Sequence, residues 1–283
     1  MSAIENMPEF PTLAFLPVKN MLIHERHDNQ RTRPLILRIR ASGVFRNPPV
    51  VSPLQDGSGR YMVLDGANRV TALEEMGYPH ILVQVVQPDD PGLGLHCWNH
   101  IVWEMNPLRF LDGIRSIAGL ELVPGAAPDY TPQLAANCGL AVVQTPAGGC
   151  YVLCCEAETL KERVDLLNAI VDSYKDRARL DRTSVRDVRS MADIYPSLSG
   201  LVIFPAFGVH DLLRLAGDSY LLPTGITRFI ISPRALHLNY PLEELASDQP
   251  LEEKNRKLDR WIQERLAHKG VRYYAEPTYL FDE

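Results

Sequence analysis

Apolar residues fall along this chain in two rhythms, and each predicts a different element. Short apolar runs at Tyr61 to Leu64, Leu201 to Phe204 and Phe229 to Ile231, and the mostly apolar segment His80 to Val86, predict buried strands. Three- and four-residue spacing predicts helices. Val70, Leu73 and Met76 mark one that Gly77-Tyr78-Pro79 ends. Leu160, Val164, Leu167, Val171 and Tyr174 give a helix over 157–177 its core face; a partner-binding stripe is the alternative. Leu258, Ile262 and Leu266 form the inner face of a charged helix over 252–269. A strand pair, 139–144 and 150–155, is joined by Pro146-Ala147-Gly148-Gly149. The turn-rich link 88–94 divides the chain, and a second irregular stretch covers 124–132.

The most informative place is where one run meets one helix. The strand from Tyr61 breaks at Asp65-Gly66 and turns directly into Ala67-Asn68-Arg69-Val70. Asp65 is expected to cap the first helical turn. Gly66 allows a sharp bend and a close backbone approach. Bare helix N–H groups beside a carboxylate and the Arg69 guanidinium suit a phosphate, with Asp65 available to a metal. An ordinary strand-turn-helix is the other reading of the same residues.

Composition narrows the setting. The 283 residues carry a formal net charge of −6, which disfavours a dominant phosphate-backbone binding mode. No apolar run is long enough to predict a transmembrane helix, and residues 1–6 lack the features of a signal peptide. Cys97, Cys138, Cys150, Cys154 and Cys155 form no Cys-x-x-Cys pair and are expected as reduced thiols in a cytoplasmic protein. The P-loop, the protein-kinase signatures and the Gly-x-Gly-x-x-Gly turn are absent from the sequence.

The turn has a wider context. Gly43 to Val51 supplies a glycine turn and a Pro-bounded strand before it, and 80–86 a strand after it. This order, with Asp65-Gly66-Ala67-Asn68-Arg69 at its centre, resembles the ParB/sulfiredoxin superfamily over roughly residues 10 to 90. Sulfiredoxins carry a catalytic Cys where this chain has Ala67. ParB partition proteins carry a Gly-Glu-Arg-Arg type motif and a helix-turn-helix, and neither is found here. The free L-serine kinases pair an Asp-Gly-x-His/Asn-Arg turn with an upstream Glu. This chain has Leu22-Ile23-His24-Glu25, then Arg31 and a helix. Trp98-Asn99-His100 and Leu222 to Arg228 also look like that branch, extending the resemblance over most of the chain.

That resemblance implies an α+β fold. A ParB-like nucleotide-binding domain would cover residues 1–92. A second mixed domain, 93–283, would complete the cleft. It implies phosphoryl transfer from ATP or ADP to free L-serine with Mg²⁺. Glu25 would be the base for the serine hydroxyl. Asp65 would hold Mg²⁺ directly, through water, or only orient the loop. Gly66, Ala67, Asn68 and Arg69 would hold the phosphates. Trp98, Thr227 and Arg228 would face the amino acid. The turn around Thr227 offers its N–H groups, hydroxyls and guanidinium to a carboxylate or a terminal phosphate. Arg234 and His24 are weaker candidates. The alternatives are a ParB-like nucleotide-binding regulator, the one reading with a nucleic-acid or protein partner, and a ParB-like nuclease, which needs more carboxylates near the turn.

Overall fold

The first strands, β1 (Leu13–Pro17) and β2 (Met21–Leu22), are separated by one 3₁₀ turn at Val18–Asn20. There follow α1 (Thr32–Ser42), β3 (Val44–Phe45), β4 (Val50–Pro53), β5 (Tyr61–Asp65), α2 (Ala67–Glu75) and β6 (His80–Val85). The computed structural model describes residues 10–26, 32–125, 130–132, 134 and 139–274. Arg31, Cys138 and residues 126–129 of the irregular stretch lie outside them. Five strands form a sheet in the order β1-β6-β4-β5-β2. β2 runs parallel to β5, with Met21 opposite Tyr61 and Leu22 opposite Met62. The two strands therefore end on the same side, where Asp65 closes β5 and Glu25 follows β2.

β5 explains why its sequence is a continuous apolar run. Met62 and Leu64 enter one core, shared with the helices of the second half of the chain. Val63 points to another, with Phe15, Val70 and Leu73. A strand buried on both faces has no reason to alternate.

The second half supplies β7 (Leu93–Cys97), β8 (Asn99–Trp103), α3 (Pro107–Arg115), β9 (Leu120–Pro124), β10 (Ala141–Gln144) and β11 (Cys150–Cys155). It continues with α4 (Leu160–Asp172), β12 (Arg179–Thr183), β13 (Leu198–Ile203), α5 (Val209–Gly217) and β14 (Thr227–Ile231). Its main sheet has the order β12-β8-β13-β10-β11-β9. α4 begins at a capping box in which Thr159 and Glu162 satisfy each other's backbone N–H groups. Val164, Leu167, Val171 and Tyr174 are buried beneath it, so the expected stripe is a core face. β7 and β14 make a separate antiparallel ribbon, Thr227 opposite Cys97 and Arg228 opposite His96.

The last elements, β15 (Tyr240–Pro241), α6 (Leu242–Ala246) and α7 (Leu251–Ala267), return to the first sheet. Tyr240, Leu245 and Leu258 complete the core around Phe15 and Leu82. Packing thus departs from a division into 1–92 and 93–283, because the N-terminal core is closed from the C-terminal end. Leu258 is fully buried, but Leu266 is 42% exposed, against its expected place on the inner face. β1 has 5 residues and spans roughly 17 Å. α7 has 17 and spans roughly 25 Å, so one strand of that length is too short to cover the whole helix. Buried Lys254 instead donates from Nζ to the Leu245 carbonyl at 2.9 Å. No helix among the described residues is long and apolar enough to cross a membrane.

Candidate active site

Two polar clusters form where β2 and β5 end. The first is built on Glu25. The Gly225 N–H donates to its Oε2 at 2.6 Å. The Ile226 N–H, at 3.1 Å, and the Thr227 N–H, at 2.7 Å, donate to Oε1. The Thr227 hydroxyl lies 2.5 Å from the same oxygen. Three successive backbone amides converging on one carboxylate make an anion nest. The loop is also tied to the strand end by backbone bonds from Arg26 to Leu222 and from Leu222 to His24. The turn's amides are therefore directed at Glu25 and not outward to a ligand, as the local sequence suggested. Oε2 takes one of these donors and retains a lone pair.

Gly225 is required here on two counts. Its φ is +76°, and a Cβ would lie 2.4 Å from Arg182 Nε. Arg182 stands on β12 opposite His100 and lays its guanidinium over this loop. Nothing local marks Arg182 in the sequence, because its partner is 43 positions away in the chain. His24, behind Glu25, is buried. Its Nδ1 is 2.7 Å from the Val63 carbonyl and its Nε2 is 2.8 Å from the Thr227 hydroxyl. Trp98 donates its backbone N–H to the Ile226 carbonyl at 2.9 Å, and the Arg228 guanidinium lies 4.3 Å from its ring centroid. Trp98 and Arg228 are thus brought together in cation–π geometry, whereas the Thr227 side chain turns to Glu25 and His24.

The second cluster is built on Asp65. Its side chain does not cap α2: the N-cap is Gly66, at φ +95°, with no side-chain cap bond. Asp65 Oδ2 instead accepts from Arg69 Nη2 at 2.8 Å and from Arg234 Nη2. Two guanidinium donors outcompete the weaker neutral N–H groups of the helix start. Those amides, at Ala67 and Asn68, remain without an intrahelical acceptor, as in any first turn. Burial pushes the Asp65 carboxyl upward, but Arg234 and Arg69 together hold it below the usual carboxylate range. Burial lowers the Arg69 pKa, and Asp65 partly offsets this. The Nε atoms of Arg69 and Arg234 are buried without an acceptor. The sequence ranked Arg234 low because its partner lies 169 positions earlier. Gln84, 2% exposed on β6, sets its place. It donates to the Pro233 carbonyl at 2.8 Å and accepts from the Ala235 N–H at 2.9 Å.

Gly66 faces its own steric demand. A Cβ there would lie 2.6 Å from Arg69 Nη2 and 3.0 Å from the Pro49 Cα. Gly66→Ala is expected to cost about 1–3 kcal/mol of stability and to displace Arg69. Denaturant midpoints read the first effect and nucleotide titration the second; a parent-like value in both would refute this account of the turn.

As to a metal, no group of three or more His, Cys, Asp or Glu side chains that could hold an ion occurs among the described residues. Asp65 offers Oδ1, while two guanidiniums occupy the other oxygen. That donor set fits an ion brought in by phosphates, with a single protein carboxylate, rather than a resident site. Two cysteine-containing features stand apart. Cys97 donates to the Pro205 carbonyl at 2.7 Å, and burial pushes its thiol up to about 12. A cavity of about 970 Å³ beside Gly119, Cys154 and Glu158 is lined by none of the site residues.

No family model matches the chain. It is 24% identical over 290 residues to the curated ATP-dependent L-serine kinase SbnI of Staphylococcus aureus, covering 96% of this chain and 97% of that one. It is 31% identical over 83 residues to an ATP-dependent L-serine kinase of Staphylothermus marinus, covering 29% of this chain and 32% of the relative. Among solved structures, SbnI with a C-terminal truncation from Staphylococcus aureus superposes with a TM-score of 0.71 at 21% identity, covering 90% of this chain and 97% of the other. A free serine kinase in complex with AMP gives a TM-score of 0.65 at 15% identity, covering 86% and 97%. The mixed α/β architecture described above is therefore the fold of the free serine kinase structures.

Proposed function

We propose that this protein is an ATP-dependent kinase that phosphorylates the hydroxyl of free L-serine to give O-phospho-L-serine. The observation that carries the proposal is the pairing of Glu25 with the Asp65–Arg69–Arg234 cluster at one end of two adjacent parallel strands. The names of the curated relatives, one of which aligns over 96% of the chain, support it. The N-terminal sheet with its Asp65-to-Arg69 turn is read as a ParB-like nucleotide module.

In this reading the phosphates lie against the amides of Ala67 and Asn68. Arg69 and Arg234 neutralise charge on the transferring group. Mg²⁺, carried by the nucleotide and reached by Asp65 Oδ1, would screen the phosphate oxygens. Glu25 Oε2 receives the serine hydroxyl proton, and the nest holds that oxygen still, which lowers the cost of reaching attack geometry. Arg228, steadied on Trp98, takes the substrate carboxylate. A cytoplasmic setting, where both substrates occur, belongs to the same reading. The test is to incubate the protein with Mg²⁺, ATP or ADP, and each amino acid. Phosphoserine detected by mass spectrometry with serine alone is the expected result; nucleotide binding without any phosphoamino acid would overturn it.

A further inference from the structure

We propose that Gln84 is a positioning residue for ATP, one that assembles the phosphate site from two separate stretches of chain. The inference rests on the reading of the Asp65–Arg69–Arg234 cluster as that site. Its foundation is a polar side chain in an otherwise apolar place. β6 lies between β1 and β4 in the first sheet, and Ile81, Leu82 and Val83 on it are fully buried. Gln84 follows them and is buried as well. A buried amide is tolerated where its hydrogen bonds are made.

Both bonds of this amide go to one short segment. Nε2 donates to the Pro233 carbonyl at 2.8 Å, and Oε1 accepts from the Ala235 N–H at 2.9 Å. Those two residues flank Arg234. An amide presents a donor and an acceptor side by side, as a carbonyl and an N–H on either side of one residue require. The other anchors of the segment lie further from Arg234 along the chain. The Ser232 N–H donates to the Gly92 carbonyl at 2.9 Å, and the His237 N–H donates to Asn47 Oδ1 at 2.8 Å.

The same residue also supports the other half of the cluster. Its backbone N–H donates to the Pro49 carbonyl at 2.9 Å. The Pro49 Cα lies beneath Gly66, 3.0 Å from where a Cβ would stand. Gly66 opens the helix that carries Arg69. Through its backbone, then, Gln84 braces the turn that presents Arg69 and the first amides of α2. Through its side chain it holds the segment that presents Arg234. The two guanidiniums meet on Asp65 Oδ2. A long side chain loses rotamer freedom when it grips a phosphate, and a backbone already fixed beneath it lowers what remains to be ordered. Gln84 therefore acts on nucleotide affinity and not on the capture of serine.

The test is titration calorimetry of ATP with the parent, Gln84→Met, Gln84→Leu, Arg234→Ala and the double variant Gln84→Met/Arg234→Ala. Thermal unfolding and the serine KM are measured on the same preparations. Gln84→Met keeps the length of the side chain and removes both hydrogen bonds. It is expected to weaken ATP binding by roughly 10-fold, while the serine KM at saturating ATP stays near the parent value. Gln84→Leu removes the same bonds with a different core shape and is expected to match it. In the Arg234→Ala background Gln84→Met weakens ATP no further, because the residue it positions is gone. Its cost in thermal stability, by contrast, appears in both backgrounds, so a general loosening of the fold is told apart from a loss of position. Parent-like ATP affinity in both Gln84 variants, or losses that add in the double variant, overturn the inference. Either result alongside a weakened Arg234→Ala leaves the phosphate site in place and removes only its dependence on Gln84. Parent-like affinity in Arg234→Ala removes the phosphate site itself.

Discussion

Glu25→Gln is expected to lower kcat for serine phosphorylation by about 10²- to 10⁴-fold while nucleotide affinity changes little. An amide of the same size has no basicity, so the proton of the attacking hydroxyl has no destination. The substitution also has a structural side. Both carboxylate oxygens accept backbone N–H groups, from Gly225 on one and from Ile226 and Thr227 on the other. A Gln can present an acceptor to only one of those sides and must set its own N–H₂ against the other. One buried donor left without an acceptor costs about 1–3 kcal/mol. The 224–227 loop should therefore loosen, and the serine KM should rise with it. Thermal unfolding and kcat measured on the same preparation separate the two contributions. A variant that unfolds earlier yet turns over at the parent rate would leave Glu25 as a latch and nothing more.

The second large effect lies at Asp65. Arg234→Ala is expected to weaken ATP binding by roughly 10- to 150-fold, the worth of one charged hydrogen bond of about 1.5–3 kcal/mol. Arg69→Ala should do the same, and the two losses should not add, since each guanidinium also neutralises Asp65. Titration calorimetry reads both. Unchanged ATP affinity in Arg234→Ala would place the phosphates elsewhere. The cluster has a pH signature as well. The Asp65 carboxyl is held below its ordinary range, chiefly by Arg234 and then by Arg69 against the pull of burial. Its contribution is thus present above the unfolded carboxylate pKa and is lost as pH falls through the lower folded value. Asp65 is 47% exposed, so solvent screens that contribution.

What the sequence made legible was local. The strand and helix around Asp65-Gly66 follow from a run, a glycine and a three-residue spacing, and they stand where expected. The stripe on α4 did too, because one helix face records its own burial. Contacts that join distant segments left no such mark. Arg234 reaches Asp65 only because Gln84 grips the backbone on either side of it. Arg182 covers Gly225 only because β12 lies opposite His100. The same physics explains the misread cap. An aspartate before a helix reads locally as a cap, and two remote or neighbouring guanidiniums bind it more strongly than an amide does.

Asn255 closes the edge of the first sheet in an unusual way. From α7 its side-chain amide accepts from the Phe15 N–H at 2.8 Å and donates to the Phe15 carbonyl at 3.2 Å. It thus imitates one residue of a neighbouring strand on β1, an edge strand. An open edge is where another chain can add itself. During synthesis, 240 residues separate the exposed edge from the group that guards it. The emerging chain must carry β1 uncovered until α7 has left the ribosome. Aggregation of truncated or stalled chains, rather than loss of phosphoryl transfer, is the hazard that this placement creates.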